Sequence, residues 1–327
     1  MTLFSIIIPC KYKSKLLFKT IIKLNSQIFN NFEIIILPDK PINKFELPKT
    51  KNLKIISTGE VPPGIKRDIG SKYSKGDFLV FIDDDSYPGQ SWLYNANKII
   101  KKNKKIICFG GSSILPIDDN FFSKICDYIF RISPLDISLR YGENNKIKTK
   151  IVKDWPTVNL FIRKKYFNMI NGFSNYYWPG EDTILCRKLF LKKIKIFYFS
   201  KIPVFHYRRS NFKKYGTQIS RYGIHRGHFA RKFPENSGKL YFTPILFIII
   251  LFFLTISGNS NFNINIAIIS SVLSIYLVYI NLKFFLIKGK LSHILLFNLG
   301  CLFTHFIYGI YFFKGFFSKR LPKFNSR

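Results

Sequence analysis

The sequence predicts an α/β fold, with a domain over residues 1–235 built on a parallel sheet and a membrane domain of C-terminal transmembrane helices over 236–327. Three observations carry this reading. Short, continuous apolar runs alternate with helical patterns through the first 110 residues. All 18 acidic residues lie at or before Glu235. Long uncharged apolar runs follow Lys239.

The elements can be justified in order. Phe4-Ser-Ile-Ile-Ile-Pro9 reads as a buried strand ended by proline, which cannot donate to a ladder. Lys15 to Asn25 reads as a helix whose apolar face is Leu16, Leu17, Ile21, Ile22 and Leu24. Phe32 to Leu37, Lys54 to Ser57 and Asp77 to Ile82 are further strands, and Gly64 to Ser74 is a helix before the last of them. Strands apolar at every position are covered on both faces, which is the habit of parallel sheets. Ligands bind such sheets beyond the carboxyl ends of the strands, where Pro9, Asp39 and Asp83 to Asp85 fall. Beyond Lys239 come three apolar runs, at about 240–257, 262–282 and 291–313. About 20 apolar residues cross a bilayer, so the first two are expected to span. The third holds His293, Asn298 and His305, polar groups that are costly at mid-bilayer, and is expected to span or to be re-entrant.

Composition sets limits. With 47% hydrophobic residues the chain can build a core, and disordered or collagen-like classes are excluded. The excess of 52 Lys and Arg over 18 acids favours anionic partners, phosphates or an anionic membrane, although an AT-rich coding bias toward lysine would produce much of the same charge. No nucleic-acid motif is present, and no nucleic-acid partner is expected. The five cysteines are scattered without a C-x-x-C pair, against a zinc site or a disulfide framework. The opening residues lack the basic start of a signal peptide. Lys and Arg flank the apolar runs at Arg221, Arg226, Arg231, Lys232 and Lys239, and again at Lys283, Lys288 and Lys290, while the loop Gly258 to Asn261 is neutral. The positive-inside rule then puts the N-terminal domain in the cytoplasm, on the inner (plasma) membrane of a multi-pass protein.

Asp83-Asp84-Asp85 is the sharpest chemical feature. Three acids at a strand end fit a hard cation, Mn²⁺ or Mg²⁺, which bridges carboxylates to substrate phosphates. Alternation along an extended segment points Asp83 and Asp85 the same way and Asp84 the other.

These motifs together resemble a membrane-associated family-2 glycosyltransferase with the GT-A nucleotide-sugar (Rossmann-like) fold. Gly64-Ile-Lys-Arg67-Asp68-Ile-Gly70 resembles the family's "ARNxG" helix, Phe81 to Pro88 its D-x-D-x-x-P motif, and Asn171-Gly172-Phe173 its "GGF" stretch. Trp178-Pro-Gly-Glu181-Asp182 resembles its E-D motif and His206-Tyr-Arg208-Arg209 its "H-x-R" element. The tail His305 to Gly315 is similar to the end of succinoglycan-type exopolysaccharide enzymes, with Tyr311 where glycine is expected. The resemblance implies inverting, metal-dependent transfer of one sugar from a nucleotide-sugar donor to a lipid-linked or glycan acceptor. Asp182 would be the catalytic base. Pro9, Asp39, Arg67, Asp83 and Asp84 would bind the donor, and Asp83, Asp85 and His206 the metal. Glu181, Trp178, Arg208 and Arg221 would meet acceptor or diphosphate, and Trp155 would stack on a sugar or pack the core. Gln218-Ile-Ser-Arg221-Tyr222 resembles the Q-x-x-R-W motif of processive synthases. A processive polysaccharide synthase and a catalytically silent nucleotide- or glycan-binding membrane protein are the alternatives.

Overall fold

The computed structural model describes residues 3–133, 136–142, 147–173, 177–236, 238–256 and 262–321. In chain order the elements begin β1 (Phe4–Pro9), α1 (Lys15–Asn25), β2 (Phe32–Leu37), β3 (Leu53–Ile55), α2 (Pro63–Tyr73), β4 (Phe78–Phe81), β5 (Ser86–Pro88) and α3 (Trp92–Lys102). Next come β6 (Cys108–Gly110), β7 (Ser113–Ile114), α4 (Phe121–Ile132), α5 (Asp136–Leu139), β8 (Thr149–Val152), β9 (Leu160–Arg163), α6 (Lys164–Met169) and α7 (Glu181–Leu191). The chain closes with β10 (Ile196–Phe199), β11 (Val204–His206), α8 (Phe212–Lys232), α9 (Thr243–Ile256), α10 (Phe262–Leu286) and α11 (Ile294–Phe317). By contacts it divides into two compact units. The first is Met1–Ile117 with Leu139–Tyr207, and the second is Asp118–Ser138 with Arg208–Pro322. The helical unit therefore takes in α4 and α8 as well as the C-terminal helices, and the contact-defined division does not fall at residue 235.

The first unit is built on an eight-stranded sheet of order β3-β2-β1-β4-β9-β6-β10-β8. Strands β3, β2, β1 and β4 run parallel, as the apolar runs require. The sheet is mixed rather than parallel throughout, because β9 enters antiparallel between β4 and β6, and β8 forms an antiparallel edge. Successive residues of a strand face opposite sides, so each parallel strand feeds two cores. Ile6, Ile8, Ile34, Ile36 and Val80 pack on one face, and Ile7, Ile35, Leu37, Leu79 and Phe81 on the other. Burial on both faces makes β1 and β2 apolar except at Ser5 and Glu33, a buried pair in which the Ser5 hydroxyl donates to Glu33 Oε1 at 2.7 Å. Helix α1 is capped by the Ser14 hydroxyl, which accepts from Leu17 N–H, and buries Leu17, Ile21 and Leu24.

In the second unit α8 and α11 pack closely along their length through glycines. A Cβ on Gly223 would lie 2.8 Å from the Tyr308 carbonyl, one on Gly227 2.0 Å from that of Phe312, and one on Gly315 2.0 Å from that of Ile224. The tail motif is thus a packing motif. Tyr311, standing where glycine was expected, sets its Cβ against Gly223. Two helical stretches, Ile266–Leu286 and Leu291–Phe317, are long and apolar enough to cross a membrane. The first apolar run holds α9, which is described as far as Ile256, and residues 257–261 lie outside the described residues. The third run forms one continuous helix, in which His305 Nδ1 lies 2.9 Å from the Cys301 carbonyl and 3.3 Å from the Tyr276 hydroxyl. The neutral loop Gly258 to Asn261 lies outside the described residues.

Candidate active site

The strand order makes a topological switch point. From β1 the chain proceeds outward through β2 to β3, then returns to place β4 on the other side of β1. Open sheets of this kind bind ligands at the carboxyl ends of the strands where the order reverses. Pro9 closes β1 opposite Leu37, Asp39 follows β2, and Asp83 follows β4. Asp83 to Asp85 form the turn from β4 into β5, held by a bond from Ser86 N–H to the Asp83 carbonyl of 3.1 Å. Strand β5 pairs antiparallel with β11, which puts His206 opposite Ser86. Tyr207 N–H donates to the Asp85 carbonyl at 3.2 Å and locks the two segments together. A histidine distant in sequence thereby stands with its Nε2 3.2 Å from Asp85 Oδ1.

One ligand atom each from Asp83, Asp85 and His206 lies within 4.8 Å of the others. Two carboxylates and an imidazole fit a divalent cation, and the imidazole suits Mn²⁺ better than Mg²⁺. Asp84 is not in this cluster. Its carboxyl is pushed up to about 8, first by burial and then by Asp85 and Asp83.

A second set of charges meets on Arg67. Its guanidinium is 2% exposed, donates from Nη2 to Asp83 Oδ1 at 2.6 Å and from Nη1 to Glu181 Oε1 at 3.0 Å. Burial works against the charge on Arg67, but Asp83 and Glu181 outweigh it, and its pKa is raised. Glu181 goes up to about 7, because burial and the neighbouring Asp182 overcome the attraction of Arg67. Both acids open α7, after Gly180 at φ 116°, a conformation that favours glycine. Asp182 is half-buried and its Oδ1 accepts from Thr183 N–H at 2.7 Å. Helix α2 is tied to the Asn171–Phe173 turn by Asp68, whose Oδ1 accepts from Phe173 N–H at 2.8 Å. Asp68, unusual for the motif, therefore has a structural partner.

The first unit thus brings Pro9, Asp39, Arg67, Asp83, Asp84, Asp85, Glu181, Asp182 and His206 onto elements that converge on this edge or are joined to it through Arg67. Trp178 is half-buried in the loop before α7. Trp155 is a core residue, fully buried, with Nε1 donating to the Gly111 carbonyl at 3.3 Å. Arg208 and Arg221 belong to the second unit. The Arg208 guanidinium is buried against Asp127 at 3.2 Å, and the Arg208 backbone N–H donates to Asp119 Oδ2 at 3.0 Å. Sequence reasoning missed Lys66, whose ammonium pairs with Asp39. The available signal was a lysine where the "ARNxG" string has alanine.

Comparison with known proteins agrees with this geometry. The model of "Glycosyl transferase family 2" matches residues 5–170. A glycosyltransferase of Methanococcus voltae is 26% identical over 273 residues, covering 79% of this chain and 83% of the relative. It is a dolichyl N-acetyl-alpha-D-glucosaminyl phosphate 3-beta-D-2,3-diacetamido-2,3-dideoxy-beta-D-glucuronosyltransferase. An uncharacterized glycosyltransferase of Haemophilus influenzae is 25% identical over 165 residues, 47% of this chain and 63% of that one. In fold, the chain is similar to a mannosyltransferase from Pyrobaculum calidifontis solved with GDP-Man and Mn²⁺, with TM-score 0.65, 11% identity and coverage of 98% and 88%. With its acidic turn at the switch point of the sheet, inside the stretch matched by the family model, the chain is a glycosyltransferase and a member of glycosyl transferase family 2.

Proposed function

We propose that the protein transfers a single sugar from a nucleotide-sugar donor to a lipid-linked acceptor, with inversion and with a divalent cation, at the cytoplasmic face of a membrane. The observation that carries this reading is the convergence of Asp83, Asp85 and His206 at the switch point, joined through Arg67 to the Glu181-Asp182 pair. The M. voltae relative is named for an acceptor carried on dolichyl phosphate, and two helices of this chain have membrane-crossing length. The first supports a lipid-linked acceptor, and the second supports membrane association.

Asp83, Asp85 and His206 would hold the cation, which when bound neutralises charge on the departing diphosphate. Asp39 and the end of β1 at Pro9 border the donor's base and ribose. Arg67 spends both of its arms on carboxylates, so it orients Asp83 rather than gripping phosphate. Asp182 takes the proton from the acceptor hydroxyl while that oxygen bonds to the anomeric carbon and the bond to the diphosphate oxygen breaks. One displacement inverts the centre. Glu181 is held by Arg67, which leaves Asp182 as the acid of the pair suited to proton transfer.

The test is a binding and transfer screen of sugar nucleotides with Mn²⁺ and Mg²⁺, against a polyprenyl-phosphate sugar acceptor. Turnover should vanish in EDTA, and Asp85→Ala should lose Mn²⁺-dependent nucleotide binding. Full activity of Asp85→Ala in EDTA would remove the metal role.

A further inference from the structure

Helix α1 meets the acidic turn with two adjacent side chains, Lys19 and Thr20. Thr20 is 1% exposed, and its Oγ1 donates to the Ser86 carbonyl at 2.7 Å, with the Leu16 carbonyl at 3.0 Å and the Asp84 carbonyl at 3.4 Å also within reach. Lys19 Nζ donates to the Tyr207 hydroxyl at 2.5 Å, and lies 4.6 Å from the centre of the Tyr87 ring and 5.1 Å from that of Tyr207. An ammonium beside two ring faces is attracted to both. Thr20 thus holds β5, and Lys19 holds the residue that follows β11. The two strands have three residues each, and strands so short make few ladder bonds. Helix α1 is the firmer partner, fixed by its Ser14 cap and by Leu17, Ile21 and Leu24 in the core. The strands it grips carry the candidate cation ligands: Asp85 immediately precedes β5, and His206 ends β11.

We infer that Lys19 and Thr20 are positioning residues for the cation: by tying β5 and the end of β11 to one turn of α1, they keep the His206 imidazole beside Asp85 and so favour Mn²⁺ over Mg²⁺. This rests on the cation reading above. Asp83 and Asp85 share one turn, which the bond from Ser86 N–H to the Asp83 carbonyl closes without help from the helix. His206 comes from a strand far along the chain. Its Nε2 stays 3.2 Å from Asp85 Oδ1 only while β5 and β11 keep their register. Carboxylate oxygens serve either ion, whereas imidazole is the ligand that distinguishes Mn²⁺. Loosening the grip of α1 therefore removes Mn²⁺ affinity first.

The test uses the full chain in detergent with the metal ions alone. Electron paramagnetic resonance of free Mn²⁺ gives the Mn²⁺ affinity, and competition gives that of Mg²⁺. Thr20→Val and Lys19→Met should each weaken Mn²⁺ binding about tenfold, as expected when a group that orients a metal ligand is lost, with Mg²⁺ binding changed by less than about twofold. Thr20→Ser and Lys19→Arg, which keep the hydroxyl and the cation, should restore most of the affinity. His206→Ala should lose the Mn²⁺ preference by itself, and adding Thr20→Val or Lys19→Met to it should cost less than about twofold more. Unchanged Mn²⁺ affinity in either single variant, or equal losses of Mn²⁺ and Mg²⁺, overturns the inference. So does an undiminished effect of the α1 variants in the His206→Ala background. Should Thr20→Val fail to fold, Lys19→Met, at a half-buried position, decides by the same outcomes. A wild type that binds no Mn²⁺, or His206→Ala with undiminished Mn²⁺ affinity, overturns the cation reading itself.

Discussion

The Arg67 guanidinium bridges two acids. It touches Asp83 and Glu181, and Asp182 adjoins the latter. Burial, and then the neighbouring Asp182, lift Glu181 toward neutrality against the pull of Arg67, and the sign can be tested. An acid whose folded pKa lies above its unfolded value, here about 7 against 4.5, stabilises the fold fully below the lower value and loses that contribution as pH rises through the higher. Glu181→Gln removes the titration while keeping an oxygen for Arg67. Between about pH 5 and pH 8, the melting temperature of the wild type should therefore fall relative to that of Glu181→Gln. A constant difference would show that Glu181 ionises normally. The neighbouring acid has a different expected signature. Asp182→Asn keeps the shape and the bond to Thr183 N–H but cannot take a proton. Transfer should fall roughly 10²–10⁴-fold in kcat while donor affinity stays nearly unchanged. Near-normal transfer would reduce Asp182 to a helix-capping residue, and lost donor binding would move it to the nucleotide side.

At the scale of elements, the acidic turn is completed by a strand far away in sequence. The three-residue strand β11 pairs with β5 on one side and β7 on the other, and His206 reaches Asp85 only because of that pairing. In the helical unit the decisive contacts are between backbones. Gly216, Gly223 and Gly227 recur at helical spacing along α8, each against α11. A methyl on Gly227 would meet the Phe312 carbonyl at 2.0 Å, and a carbonyl within a helix cannot swing aside. Gly227→Ala should destabilise the detergent-solubilised chain by about 1–3 kcal/mol, read as a lower melting temperature. Gly238→Ala is the control, since its methyl would meet only the Tyr241 ring at 3.5 Å. Equal melting of both variants would show that α8 and α11 do not pack this tightly.

Across the whole molecule, the charge distribution sets the expected orientation. A reporter fused after Lys239 should score cytoplasmic, and one inserted at Asn259, within the neutral segment outside the described residues, should score external. The converse pattern would reverse the topology, and recovery of the intact chain in the soluble fraction would remove the membrane role of the tail. Basic residues near an anionic surface contribute about 1 kcal/mol each, so the Arg226–Lys239 stretch should also make binding to anionic vesicles salt-sensitive.

What the sequence determined by itself is local or periodic. Unbroken apolar runs such as Ile6-Ile7-Ile8 had to be strands covered on both faces, and the acids that end such a run had to lie at the carboxyl edge of the sheet, because strand geometry alone decides both. The ordered motifs carried the family, and hydropathy located the apolar helices. Tertiary structure decided what depends on partners distant in the chain. The antiparallel entry of β9 is a matter of strand pairing, which periodicity does not encode. Arginines look alike in sequence, yet Arg67 is enclosed by Asp83 and Glu181, while Arg208 is turned to Asp127. Lys66 reads as one more lysine in a very basic chain. Its pairing emerges only when folding removes water from its ammonium and leaves Asp39 and two strand-end carbonyls to replace it.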